Sequence, residues 1–445
     1  DTDGIFQLES SGMRSVLKRL KTSDFSDIVN ALALYGPGPM KVIPSFVNRK
    51  FKKEKVEYLH DDLEEILKPT YGTIVFQEQI LLIAKKFAGY SLGEADILRR
   101  AVSKKKSDIL LKEQDKFITR AVSKGYSKDL ATEIYNYILK FANYGFNKSH
   151  SVAYSMISYQ MAYLKVNYYK EFMAVLMSNS IGKNHLLKSY FNNCVSRNIK
   201  VFLPSVNISS DKFVLTNEGI YASLLMVNGL GDTTVNNLLI ERKENGIYID
   251  YDNFVERTQN ILNRKNFEML VYAGALDEFN IPRKQMILEY DKSLEIANFG
   301  ELFKEQLSAH TFSDEEYTFE EISKFEKNAL GFNFKFDIFK QYSDVKKKYK
   351  TVDICSLQDV AIGSYVNLLF RIDSFNVIKT KKGEEMAFVT MSDDTGVIDG
   401  VLFPKQYSMI ENDLEIDKIA LGKVKVDLRD NKRQCVFEKI VIKKY

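Results

Sequence analysis

Arg99-Arg100, followed by Lys104-Lys105-Lys106, is the densest run of like charge in this 445-residue chain. On a helix, Arg99, Ser103 and Lys106 fall at i, i+4 and i+7, and Arg100 and Lys104 form a neighbouring i, i+4 pair. Both stripes avoid the apolar face, and no carboxylate lies between Arg99 and Lys106. Several cations presented to one region suit a triphosphate or a nucleic-acid backbone. A solvated, solubilising helix face is the plainer alternative.

Three further groups could do chemistry. Tyr144-Gly145-Phe146-Asn147-Lys148-Ser149-His150-Ser151 packs aromatic rings, an amide, a cation, hydroxyls and an imidazole into one stretch. Bases stack on aromatics and sugars take polar donors, so this mix suits a nucleotide; a polar turn between helices is the alternative. Gly229-Leu230-Gly231 leads into a helix-like run, where glycines free backbone N–H groups to approach a DNA phosphate, or simply make a tight turn. Phe299-Gly300-Glu301-Leu302-Phe303 lies between charged stretches and could plug an apolar pocket on a partner, or pack on its own domain. Asp1-Thr2-Asp3 has the spacing of paired metal-binding carboxylates. Such carboxylates need a rigid strand to fix them, and nothing precedes Asp1 to build one. We therefore assign no catalytic or metal-binding residue.

These groups need elements to position them. Residues 1 to about 206 read as mostly helical. Ser10 or Ser11 can cap a helix with Met13, Val16, Leu17 and Leu20 on one face. Ser91-Leu92-Gly93-Glu94 is a capping-box pattern opening a helix with Ala95, Leu98 and Val102 on one face. Tyr154 to Met177 reads as one or two buried helices. Past Phe202-Leu203-Pro204, Lys212–Leu215 could be a strand, Asp232–Arg242 a helix, and Leu262–Leu276 a second hairpin-like stretch ending near Gly274. Residues 283–350 read as helices plus linker. From Val366 onward the period becomes that of short strands, about five of them, with turns at Lys382-Gly383, Asp393–Gly396 and Asp430–Lys432. A small barrel of OB type follows from that spacing.

Composition excludes several classes. With 45% hydrophobic and 27% charged residues, the chain has material for several packed cores. The net charge of +4 makes any nucleic-acid surface a matter of local clustering. The three cysteines and four histidines are scattered without metal-ligand spacing, which points to reduced thiols in a cytoplasmic protein. No apolar run reaches the about 18 residues of a membrane helix, and no G-x-x-x-x-G-K-[ST] loop is present.

Several stretches together resemble the bacterial family C DNA polymerases, the alpha subunits of DNA polymerase III. They are Gly4–Ser10, Leu34–Pro39, Pro69–Gly72 with Phe76–Gln79, Gly89–Asp96, Leu98–Ala101, Lys104–Lys106 and Phe141–Ser151, in that order. The resemblance is dense in the first half and rests on domain order in the second. It implies a multidomain α+β chain with a mainly α-helical fingers domain at 1–206 and a tandem helix-hairpin-helix unit at 207–282. A helical linker with a clamp-binding peptide would occupy 283–350 and an OB-type β-barrel 351–445.

The resemblance also implies roles. Arg99, Arg100 and Lys104 would meet the triphosphate of an incoming dNTP. Asn147, Ser149 and His150 would lie near its sugar or base, with Gln77 and Gln79 shaping the pocket. Lys105, Lys106, Lys148, Gly229 and Gly231 would contact primer–template DNA, and Phe299, Leu302 and Phe303 the sliding clamp (the beta subunit), where the family usually starts with glutamine rather than phenylalanine. Other replisome proteins would be partners, and no membrane. The Mg²⁺-binding aspartates lie in the family's palm, upstream of the Gly4–Glu9 stretch, so Mg²⁺ would be held outside this chain. The barrel near the C-terminal end resembles the DnaE type of Gram-positive bacteria. The rival reading is a non-catalytic module that binds DNA and tethers the clamp.

Overall fold

A computed structural model of the chain describes residues 1–36, 39–103, 107–142, 145–298, 312–334, 339, 342–380, 382–393, 395–429 and 432–442. The chain folds as two compact units, Asp1–Tyr169 and Lys170–Tyr445. The boundary read from sequence near residue 206 falls inside the second unit.

The first unit is helical and has two cores. One gathers Ile5, Leu8, Met13, Leu20, Phe46 and Phe76. The other gathers Ile83, Phe87, Leu98, Phe117, Ile134 and Tyr135. Helix Ser11–Leu20 starts where Ser10 accepts from the Met13 N–H and buries Met13, Val16 and Leu20, as the spacing predicts. Helix Leu92–Ser103 opens on a reciprocal box. The Ser91 N–H donates to Glu94 at 3.0 Å, and the Glu94 N–H to the Ser91 hydroxyl at 3.3 Å. Glu94 also pairs with Lys116 and Arg120, at 3.0 and 2.9 Å, tying this helix to Ser107–Ser123.

The Tyr154–Met177 stretch forms two helices, Lys148–Asn167 and Tyr169–Ser178. Contrary to the buried helix expected from composition, Lys148–Asn167 turns its small and polar residues inward. Ser151, Ser155, Ser158 and Lys165 are buried, while Met156, Ile157, Tyr163 and Val166 are exposed. Hydrogen bonds explain the inversion. The Ser151 hydroxyl donates to the Val29 carbonyl and that of Ser158 to the Phe6 carbonyl, each at 2.7 Å, and the Lys165 ammonium reaches the Asp1 carboxylate at 2.8 Å.

In the second unit, helices Tyr169–Ser178 and Asn184–Ser196 lead into a small three-stranded sheet. Its strands are β1 (Val201–Phe202), β2 (Val214–Leu215) and β3 (Ile220–Tyr221), in the order β1-β3-β2. Helices Asp232–Asn245, Tyr251–Thr258 and Arg264–Tyr272 follow. The region read as helices plus linker supplies helices Arg283–Leu288, Tyr290–Asn298, Phe319–Leu330 and Ser343–Tyr349.

The last strands are β4 (Tyr365–Lys379), β5 (Glu385–Ser392), β6 (Val397–Leu402), β7 (Ile419–Arg429) and β8 (Lys432–Ile442). They close a barrel in the order β4-β5-β6-β8-β7. β6 and β8 run parallel, β7 returns antiparallel to β4, and helix Pro404–Tyr407 lies between β6 and β7 in sequence. This is the OB arrangement. The runs Lys418–Leu421 and Val424–Leu428, read separately in the sequence, are joined in one strand, β7, whose register against β8 shifts between Lys423 and Val424. A Cβ at Gly422 would stand 2.8 Å from the Phe437 ring, which fills the barrel core beside Phe370. Burial pushes the Cys435 thiol up to about 12, so it behaves as a core residue.

Candidate nucleotide-binding site

The two cores of the first unit meet at Val75–Gln79, and the site is built on that segment. Phe76 pairs with Phe146 in an isolated parallel bridge. The Phe146 N–H donates to the Val75 carbonyl and the Gln77 N–H to the Phe146 carbonyl, each at 2.9 Å. Segments far apart in sequence are thereby held side by side before any side chain is considered.

Gln77 completes the connection. Its Nε2 donates to the Gly145 carbonyl at 2.9 Å, and its Oε1 accepts from the Arg99 guanidinium at 2.8 Å. Arg99 also donates through Nε to Asp96 at 2.8 Å. Its Nη2 lies 2.7 Å from Asp96 as well, so all three of its nitrogens have neighbours and the guanidinium is oriented without a ligand. Arg100 also reaches Asp96, at 2.7 Å, and its side chain is 68% exposed against 23% for Arg99. Asp96 therefore lies between two arginines, and the Arg99 hydrogen bond, ahead of the surrounding positive charge, holds its carboxyl below the usual range. The stripe read from sequence as free of acids is partly neutralised from the preceding turn.

Asn147 caps helix Lys148–Asn167 by accepting from the His150 N–H at 2.8 Å. The Lys148 N–H donates to both Glu78 oxygens at 3.0 Å, so a carboxylate sits at this helix N-terminus. Ser149 and His150 are exposed, and the His150 ring lies 4.0 Å from Tyr154. Gln79 has a different part. It is buried, accepts from the Val75 and Phe76 N–H groups and donates to Thr70 and Ile66, so its amide braces the segment. Lys104, Lys105 and Lys106 lie outside the described residues, as do Phe299, Leu302 and Phe303. Asp96 and Glu78 were missed in the sequence reading. Asp96 was legible from the helical period, whereas the Glu78 contact exists only in the fold.

Asp1 and Asp3 are both engaged by cations of the first unit. The Asp1 carboxylate is held by Lys165 at 2.8 Å, the Asp3 carboxylate by Arg14, and the Asp3 carbonyl by Lys165 at 2.6 Å. Among the described residues no group of three or more His, Cys, Asp or Glu gathers to hold a metal.

In the second unit, Gly229 adopts φ +89° and its carbonyl accepts from the Asn266 side chain at 2.8 Å. Gly231 is the N-cap of helix Asp232–Asn245 and is exposed. Asn266 lies in helix Arg264–Tyr272, which is capped by Asn263 and followed by Gly274 at φ +77°. The two hairpin stretches are therefore joined directly.

Comparison with known proteins bears on both regions. Residues 1–125 match the finger domain of the bacterial DNA polymerase III alpha subunit, and residues 198–286 match a helix-hairpin-helix motif. DNA polymerase III subunit alpha of Bacillus subtilis (strain 168) is 40% identical over 451 residues, covering 99% of this chain and 40% of the relative. The chain is similar to DNA polymerase III alpha subunits over nearly its whole length. The subunit of Staphylococcus epidermidis (strain ATCC 12228 / FDA PCI 1200) is 39% identical over 447 residues, covering 99% of this chain and 41% of the relative. That of Staphylococcus aureus (strain Mu50 / ATCC 700699) shows the same identity, aligned length and coverages. The chain thus spans about two fifths of these alpha subunits, which are of Gram-positive type. A structure of RecG bound to a three-way DNA junction aligns over 46% of the chain at 14% identity and a TM-score of 0.16, too slight to bear on the fold.

Proposed function

We propose that this chain is the part of a replicative DNA-directed DNA polymerase that receives the incoming dNTP and grips primer–template DNA. The observation that carries the reading is the Gln77 bridge, which brings Arg99 and the Gly145–His150 stretch to one place. An oriented guanidinium beside a more exposed one supplies charge-assisted donors for a triphosphate. Lys104 would extend that set. Asn147, Ser149 and His150 would flank the sugar or base, with Gln77 and Gln79 as supports. The similarity to DNA polymerase III alpha subunits supports the same roles.

The domains would run as read from the sequence: fingers to 206, hairpins to 282, linker to 350 and barrel to 445. Gly229 and Gly231 would approach duplex phosphates, Lys105, Lys106 and Lys148 would add backbone contacts, and the barrel would meet single-stranded template. Phe299, Leu302 and Phe303 would engage the sliding clamp. The Mg²⁺ ions of the reaction would be held by a palm outside this chain. The setting would be the cytoplasm; no helix among the described residues is long and apolar enough to cross a membrane.

The test is steady-state primer extension by the full-length polymerase. Arg99→Ala is expected to raise KM for dNTP by about tenfold or more, as loss of a charged hydrogen-bond donor implies. DNA affinity should be unchanged. Lower DNA affinity with an unchanged KM would favour the rival, a DNA-binding and clamp-tethering module.

A further inference from the structure

A second cleft, of about 720 Å³, opens in the first unit on the other side of the Phe76–Glu78 segment. Its walls are apolar: Phe25, Val29, Ile66, Phe76, Leu82 and Val152. Lysines 85, 86, 124 and 148 also line it, with Glu65 and Glu78. Arg99, Arg100 and His150 are not among its lining residues.

The wall contains one polar group with nothing to do. Asn30 is 5% exposed and lines the cleft, and its side-chain amide makes no hydrogen bond among the described residues. The other two buried polar residues on the wall differ: Gln79 and Thr70 bond to each other at 2.7 Å and to backbone. The Asn30 amide meets only the solvent of the cleft, so it is available to a ligand that offers a matching donor and acceptor. We propose that this cleft binds a purine nucleoside monophosphate, with the adenine type preferred.

Three features select that class. The volume lies within the roughly 300–1,000 Å³ of small-molecule sites. An Asn amide presents a donor and an acceptor side by side, matching the N6 donor and N7 acceptor of adenine, whereas a lipid tail would leave the amide unpaired. The charge of the rim suits a monophosphate. Lys86 is held by Asp62 at 3.1 Å, and Lys124 donates to the Lys86 carbonyl. Lys85 and Lys148 carry no ion pair among the described residues. The four lining lysines against Glu65 and Glu78 leave the lining at +2, which matches a phosphate dianion and falls short of a triphosphate.

The location gives the site a consequence. Phe76 and Glu78 face this cleft, while Gln77 between them holds Arg99. A ligand here packs against the segment that orients the proposed triphosphate-binding arginine, so occupancy is expected to change KM for dNTP.

Equilibrium dialysis of labelled AMP against the full-length polymerase without DNA tests this. A single AMP should bind to the wild type and to Arg99→Ala. Affinity should fall about tenfold or more in Asn30→Leu, which removes the amide at similar volume. It should fall likewise in Leu82→Trp, which fills the cleft from a side chain that is 47% exposed and so spares the core. Absence of AMP binding in the wild type overturns the proposal, as does AMP affinity unchanged in both cleft variants. Loss in Arg99→Ala with retention in Asn30→Leu also overturns it, because AMP then occupies the first site. AMP loss confined to the cleft variants, with an unchanged dNTP KM in Arg99→Ala, would instead sink the polymerase reading and leave the cleft standing.

Discussion

Arg99 and Gln77 show how a side chain becomes useful only through its neighbours. Arg99 is anchored twice, by Gln77 at 2.8 Å and by Asp96 at 2.8 Å. Removing one anchor leaves the other. Gln77→Ala is therefore expected to raise KM for dNTP several-fold, less than Arg99→Ala does, because it loosens the guanidinium but leaves it and its Asp96 contact in place. Parallel KM measurements on the two variants check the order; a larger effect of Gln77→Ala would mean that the bridge, not the guanidinium, carries binding.

At the scale of elements, the Leu92–Ser103 helix depends on Glu94. Hydrogen bonds from Arg120 first, then from the Ser91 backbone and Lys116, hold this carboxyl well below its usual range. A carboxyl depressed by folding contributes stability that is full above its unfolded pKa and is lost as pH falls through the folded one. Glu94→Gln should accordingly be less stable than wild type at neutral pH, with the gap closing as pH falls below the ordinary carboxylate range. Urea titrations of both proteins between neutral and acid pH measure this, and a gap that stays constant would refute the pairing. The hairpin gives a second case. Gly229 sits at φ +89°, so Gly229→Ala is expected to cost about 1–2 kcal/mol in urea unfolding. It should also weaken DNA binding without altering base preference, because phosphate contacts carry no sequence information.

The whole molecule is two compact units, and the second closes its barrel on two glycines. Cβ atoms at Gly400 and Gly422 would stand 2.7 and 2.8 Å from the Phe437 ring. Phe437 and Phe370 together fill the interior at a size that leaves no room for a methyl group beside them. Gly400→Ala and Gly422→Ala should each destabilise the barrel by about 1–3 kcal/mol, as overpacking does. Thermal melts followed by a probe in the barrel check this, and an unchanged midpoint would show that the ring can move aside.

Local chemistry was legible in the sequence by itself. Serine caps, the Ser91–Glu94 box and the period-2 strands are set by neighbours within a few residues, and the helices and five barrel strands formed where those patterns lay. Long motifs in order carried the family resemblance. The Lys148–Asn167 helix was misread because its composition suggests burial all round, whereas partners at Val29, Phe6 and Asp1 decide which face turns in. Asp96 could be reached by counting turns from Arg99. The Gln77–Gly145 bond, Glu78 at the second helix N-terminus and the unpaired Asn30 amide could not. Each depends on a relation between distant segments, and only the packing of two helical cores against each other brings those segments within hydrogen-bonding distance or leaves an amide without a partner.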